Sequence, residues 1–344
     1  HLQSPRGSNS IMMLDAGAEK EVVKRSSIAG KYNLTGDVIY RGLASTIFLA
    51  VEKGTFLQVG VKVLMKASFD SEEERRNAMR EIEIHSSLPP HSNVIRVLAS
   101  EETPDAILLV TPYTPHGDLW QLTKYSQTYC EHEVQHCAGQ IMSALKFIHS
   151  VCGLIHGDIK PQNFLLYRVN KRYCVQLCDF GLAERPDPTS GIITFHGVRG
   201  TSGWFAPEML DHQDYSHSLD LFACGLIFFR MLGGYAPFDP PSKVRQALEF
   251  DDRCWCHVTL PCKQQIAQLL SVEPDMRGTA ADALEGEWIG GPGPPMPTPE
   301  QLQALSAFGP PPNSEVQFWP PGMVPEPHLR NSYANLQSLI DASH

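Results

Sequence analysis

Two short runs in this chain hold residues whose types and spacing could do chemistry together. They are His156-Gly157-Asp158-Ile159-Lys160-Pro161-Gln162-Asn163 and, after one strand's length, Asp179-Phe180-Gly181. The carboxylate of Asp158 can accept a proton from an attacking hydroxyl. The ammonium of Lys160 can sit against a transferring phosphoryl group. The amide of Asn163 and the carboxylate of Asp179 offer the hard oxygen ligands that magnesium takes, alongside waters and nucleotide phosphates. Taken singly, each is an ordinary turn-forming Asp or Asn or a solvated lysine. Turn chemistry does not explain the ordered series.

Groups that work by position need rigid elements around them. From Tyr32 to Met65 the pattern predicts strands, at Val38-Ile39-Tyr40, Thr46-Ile47-Phe48-Leu49-Ala50 and Val59-Gly60-Val61-Lys62-Val63. Ser71-Glu72-Glu73-Glu74 puts acidic residues in a helix's first turn; the predicted helix runs to about Leu88, and Pro89-Pro90 ends it. Two more strands are predicted at Val94 to Leu98 and Ala106 to Val110, completing a small β-rich lobe with one main helix. After His116-Gly117-Asp118 the character changes. Amphipathic helices are predicted from Glu131 to Ser150, Ser218 to Leu232 and Lys263 to Leu270, a larger helical lobe with the chemistry-bearing loops between its helices. Residues 1–28 are polar and read as a flexible leader. Residues 290–344 read as a Pro-rich tail with short helices at Thr298-Pro299-Glu300 and Ser332 to Ile340, either wrapped on the core or free.

The series resembles the catalytic loop and metal-binding triplet of the eukaryotic protein kinases, and Lys160-Pro161-Gln162-Asn163 with Gly200-Thr201 resembles their serine/threonine branch. The likeness covers roughly residues 32–289, within a kinase domain placed at 29–289 (N-lobe about 29–111, C-lobe about 116–289). It implies an α+β, bilobal protein-kinase-like fold. It also implies transfer of the ATP γ-phosphoryl group to Ser/Thr hydroxyls of a protein substrate, with ATP and Mg2+. Under it, Asp158 orients and deprotonates the acceptor, and Thr201 bridges Asp158 and Lys160 beneath it. Lys62 holds the α- and β-phosphates and is paired by Glu81; Asn163 and Asp179 hold the metal. Thr111 is the small gatekeeper before a reachable back pocket. Pro112 offers the adenine only a carbonyl, Thr114 an N–H, and Asp118 reaches the ribose. Ile39, Gly42, Ile47, Gly60 and Leu165 complete the implied ATP site. Ala206-Pro207-Glu208 closes the activation segment, Glu208 pairs with Arg277, and Asp220 braces the backbone of the catalytic loop.

The chain also departs from the family. The phosphate-covering loop, Gly-x-Gly-x-x-Gly in relatives, has Tyr40, Gly42 and Ser45 at the three positions, which implies weakened or altered ATP binding. The catalytic loop reads His-Gly-Asp; the arginine that would meet a phosphorylated activation loop is Gly157. Activity without activation-loop phosphorylation is the expectation, although Thr189, Ser190 and Thr194 lie in that loop. Gly60 stands where Ala usually touches adenine. His85 occupies a position of the spine between the lobes that is usually apolar, so it must be hydrogen-bonded or costly to bury. Gln162 and Arg230 stand where arginine-directed kinases place Glu, which argues against an arginine-directed consensus. The alternative is a pseudokinase acting as a binding or scaffolding module; Tyr40 and Gly157 favour it, and Lys62, Asp158 and Asp179 oppose it. An enzyme of the same fold acting on small molecules is opposed by the intact Gly200 to Glu208 segment, which builds a peptide platform.

With 344 residues, 42% of them hydrophobic and 19% charged, the chain can bury one large core or two. A formal net charge of -10 argues against a nucleic-acid partner. Nine scattered cysteines form no disulfide framework, and Cys254, Cys256, His257 and Cys262 match no zinc spacing. The apolar run Leu221 to Ala236 contains Arg230 and is short for a membrane span. No signal peptide is visible and the first residue is His, so the chain is read as a fragment or processed form, expected to be cytoplasmic and monomeric.

Overall fold

A computed structural model of the chain describes residues 16–42, 45–121, 129–169 and 172–293. The tail helices expected near Thr298 and Ser332 lie outside the described residues.

The N-lobe is built on an antiparallel five-stranded sheet of β1 (Tyr32–Arg41), β2 (Thr46–Glu52), β3 (Gln58–Met65), β4 (Ala99–Glu102) and β5 (Ala106–Pro112) in the order β1-β2-β3-β5-β4. Strand alternation divides its apolar residues between two faces. Phe48, Ala50, Val59, Val61, Val63, Leu108 and Val110 fill one. Leu64, Ile107 and Leu109 fill the other and pack on Ala78 and Ile82 of helix α3 (Glu72–Ser87). The α3 N-terminus is capped: the Ser71 hydroxyl accepts the Glu74 N–H at 3.1 Å, and the Glu74 carboxylate accepts the Asp70 N–H at 2.8 Å.

The structure corrects two expectations in this lobe. From residue 16 the reading of 1–28 as a flexible leader fails: helices α1 (Ala16–Arg25) and α2 (Ile28–Lys31) cover the first face of the sheet. Val23 and Ile28 are buried there, and the Glu101 carboxylate accepts from the Ser27 N–H, Ser27 hydroxyl and Ile28 N–H at 3.1, 2.6 and 3.2 Å. An exposed apolar sheet face has to be covered, and the cap is supplied from a distant strand, which local pattern does not reveal. Nor does Val94 to Leu98 form a strand. Val94 and Ile95 are buried, but the Ile95 N–H donates to the Leu177 carbonyl at 2.9 Å, and β4 starts only at Ala99.

The C-lobe is mainly helical: α4 (Glu131–Lys146), α5 (Ser218–Gly233), α6 (Leu260–Leu269) and α7 (Ala280–Glu285), with a separate hairpin of β6 (Phe164–Val169) and β7 (Arg172–Leu177). Almost every residue of α5 is buried, so it is the post around which this lobe packs. It stops at Gly234 (φ 75°), whose left-handed backbone lets its N–H reach the Arg230 carbonyl at 2.9 Å. No described helix is long and apolar enough to cross a membrane.

Candidate active site

The catalytic loop is held from below. Asp220, fully buried in the first turn of α5, accepts the His156 N–H at 2.8 Å and the Gly157 N–H at 2.9 Å, and His149 Nε2 lies 2.9 Å from it. Burial opposes the charge on Asp220, but the His149 contact and these donors outweigh it and hold its carboxyl below the usual range. Gly157 has φ 77°, and a Cβ there would stand 3.0 Å from the Leu182 carbonyl oxygen. Glycine takes this left-handed conformation without strain.

Above that base, three side chains close a triangle. Lys160 Nζ donates to Asp158 Oδ2 at 2.6 Å and to Thr201 Oγ1 at 2.8 Å, and the Thr201 hydroxyl donates to Asp158 Oδ1 at 2.8 Å. Asn163 Nδ2 donates to the Asp158 main-chain carbonyl at 2.8 Å, which leaves Oδ1 as the acceptor end of the amide.

Lys62 on β3 donates to Glu81 of α3 at 2.6 Å and lies 3.8 Å from Asp179 Oδ1. Burial works against the ammonium, yet the two carboxylates outweigh it and raise its pKa above the ordinary value. Asp179 has φ 65°, a strained left-handed conformation for a non-glycine residue and of the kind found where function fixes the backbone. Burial disfavours its charge, and Lys62, His156 and Lys160 together hold its carboxyl below the usual range.

The rings of His85, Phe180 and His156 run in series, with centroids 4.8 and 5.3 Å apart. His85 Nε2 lies 2.7 Å from the Ile95 carbonyl, and its Nδ1 is buried with no hydrogen bond among the described residues. Loss of solvent brings its pKa down to about 4, so the ring is neutral near pH 7.

The residues expected around adenine come together at Gly60. A Cβ there would meet Ile47 at 3.2 Å, the Thr111 hydroxyl at 3.8 Å and Ile39 at 3.9 Å, so its absence keeps open the space among them. Pro112 ends β5 and pairs with Val59. Thr114 lies two residues further on, and its carbonyl accepts the Gly117 N–H at 3.4 Å. Asp118 bridges to Leu165. The Asp118 carboxyl accepts the Gln121 N–H at 2.9 Å, and burial lifts its pKa against that donor. Gly42 donates to the Ser45 carbonyl at 2.8 Å, and a Cβ on it would press the Tyr40 ring at 3.0 Å. Thus the one glycine left in that loop is the one the tyrosine needs.

Glu208 and Arg277 form a bidentate pair at 2.7 and 2.8 Å, each 1% exposed. The guanidinium also donates to the carbonyls of Ser271, Ser218 and Val272 and covers the Phe222 ring.

A match to the protein kinase domain family spans residues 35–289. The chain belongs to the protein kinase family. It is 30% identical over 274 residues to a calcium/calmodulin-dependent protein kinase type 1 of Caenorhabditis briggsae, a span that is 77% of this chain and 74% of the relative. A calcium/calmodulin-dependent protein kinase type II of Caenorhabditis elegans is 31% identical over 256 residues, 72% of this chain and 35% of that relative. A type 1 enzyme of Macrobrachium nipponense is 28% identical over 294 residues, 80% of this chain and 83% of the relative. With these relatives and the Lys160-Pro161-Gln162-Asn163 loop, the kinase is of the serine/threonine branch.

Sequence reading missed one pair beside this site. Glu184, three residues after Gly181, accepts from Arg199 Nη1 at 2.5 Å. Opposite charges at the two ends of the activation segment were the available signal.

Proposed function

We propose that this kinase transfers the γ-phosphoryl group of ATP to Ser/Thr hydroxyls of protein substrates with Mg2+, and that it does so without activation-loop phosphorylation. The observation that carries the reading is the closed triangle Asp158-Lys160-Thr201 together with an intact Lys62-Glu81 pair.

The residues fit the groups the reaction needs. Gly60 leaves room among Ile39, Ile47 and Thr111 for a flat base. Asn163 keeps its Oδ1 available, and the Asp179 carboxyl is held below the usual range by Lys62, His156 and Lys160, so the two supply the hard oxygens magnesium takes. Magnesium, when bound, neutralises charge on the phosphoryl oxygens. Asp158 orients the acceptor hydroxyl and takes its proton. Lys160, already bound to Asp158 and Thr201, supplies positive charge beside the transferring group. Lys62, fixed by Glu81, holds the remaining phosphates at a definite place.

Gly157 offers a phosphate no guanidinium, and the Asp158-Thr201 contact is closed without one. Phosphatase-treated protein therefore keeps its turnover, as measured by peptide phosphorylation before and after treatment. Turnover abolished by the phosphatase overturns the phosphorylation-independent part. A cytoplasmic, monomeric enzyme completes the reading; all nine cysteines are unpaired, as a reducing compartment keeps them.

A further inference from the structure

We infer that Glu184 and Arg199 are positioning residues that lock the activation segment onto the catalytic loop, doing from within the fold what an activating phosphate does elsewhere. The inference rests on the phosphoryl-transfer reading above.

The two ends of the lock are tied to opposite sides of the site. Glu184 is pinned through its backbone: the Ile155 N–H donates to its carbonyl at 2.8 Å, and its N–H donates to the Ile155 carbonyl at 2.9 Å. Ile155 immediately precedes His156, whose own N–H is held by Asp220. The Glu184 side chain is thus fixed relative to the catalytic loop. Arg199 stands two residues before Thr201, the hydroxyl that completes the triangle with Asp158 and Lys160. Between them, Gly200 (φ 111°) lies so close to the loop that a Cβ on it would meet the Gly157 carbonyl at 3.1 Å. The ion pair and this close approach fasten the same three residues to the same loop.

Surrounding groups reinforce the pair. His196 Nε2 lies 3.0 Å from Arg199 Nη1 and 3.3 Å from Glu184 Oε1, and its Nδ1 lies 2.9 Å from the Thr194 carbonyl, so the ring packs against both members of the pair. Tyr215 pairs through its backbone with Ile193 in both directions, at 2.8 and 3.0 Å, which anchors the middle of the segment. The Glu184 and Arg199 side chains are only 14% and 25% exposed, so the pair is shielded more than a surface bridge. Its polarity is the reverse of the usual switch: the anion is built in beside the catalytic loop, and the cation rides on the activation segment.

The test uses the phosphatase-treated chain. Arg199→Ala is expected to lower kcat/KM for a peptide substrate by about tenfold to a hundredfold, the range of a charge-assisted hydrogen bond, with KM for ATP unchanged. Arg199→Lys should recover part of the loss, and Glu184→Arg combined with Arg199→Glu should recover most of it. Hydrogen exchange gives a second readout that needs no activity: amides of residues 195–205 should exchange faster in Arg199→Ala than in the wild type. Peptide kcat/KM within about twofold of wild type in Arg199→Ala, or a folded double swap no better than the worse single variant, overturns the lock. If the wild type transfers no phosphate, the proposed function fails. The lock is then decided by exchange alone: unchanged protection of 195–205 refutes it and faster exchange supports it.

Discussion

His85 is the residue whose replacement says most about how the two lobes are joined, because its burial has a cost that pH can read. The residue is 4% exposed, its ring touches Phe180, and one buried nitrogen has no partner among the described residues. Its pKa falls from 6.5 to about 4, chiefly through desolvation, against the opposing Ile95 carbonyl contact. The folded state therefore binds fewer protons at this ring than the unfolded chain between those two values. Its contribution to stability is full above pH 6.5, declines as pH falls, and levels off below about pH 4. The whole difference is worth about 3 kcal/mol, and about 2 kcal/mol of it is lost by pH 5. His85→Leu removes the titrating group and keeps an apolar body against Phe180. Between pH 7.5 and 5 the variant should lose about 2 kcal/mol less than the wild type, or about 4–8 °C less in Tm for a domain of this size. Other histidines with lowered pKa, such as His91, His136 and His217, titrate in both proteins and cancel in the comparison. Parallel Tm-against-pH curves from thermal unfolding at five pH values would refute the reasoning.

Other substitutions separate fold from chemistry. Glu208→Gln leaves the Arg277 guanidinium buried without its counter-charge and should cost about 3–5 kcal/mol, read as a lower midpoint in urea unfolding. Gly157→Ala forces a side chain into left-handed backbone against the Leu182 carbonyl and should cost about 1–2 kcal/mol by the same assay. Thr111→Met closes the space beside Gly60 and should weaken bulky ATP-competitive inhibitors by tenfold or more, on the order of 1.4 kcal/mol; unchanged inhibitor affinity contradicts a reachable back pocket.

Much of the architecture was legible because its signals are local. A β-branched and apolar run marked β2, apolar residues at alternate positions marked β3, and the acidic run after Ser71 marked the start of α3. The contacts of Lys62 with Glu81, Glu208 with Arg277, and Asp220 with the catalytic-loop amides follow from residue types at family spacing. What was illegible depends on distant partners. Helix α1 is ordered by an apolar sheet face and α2 by Glu101, neither of which its own residues announce. Val94 and Ile95 have strand composition, but their backbone partners lie at the end of β7. The Glu184-Arg199 pair joins positions that only the folded activation segment brings together. For His85 the sequence leaves two outcomes, hydrogen-bonded or costly to bury, and the structure contains some of each: the Ile95 carbonyl meets Nε2, and Nδ1 is buried without a partner among the described residues.

The central claim is that the Asp158-Lys160-Thr201 triangle and the Lys62-Glu81-Asp179 cluster form a working phosphoryl-transfer site. The most direct test is magnesium-dependent transfer of labelled phosphate from ATP to a generic basic protein and to the chain itself, with Asp179→Ala as control. The account predicts transfer by the wild type that requires magnesium and disappears in the variant. No transfer by the wild type, together with no thermal shift on adding ATP and magnesium, contradicts it and leaves a kinase-shaped binding module.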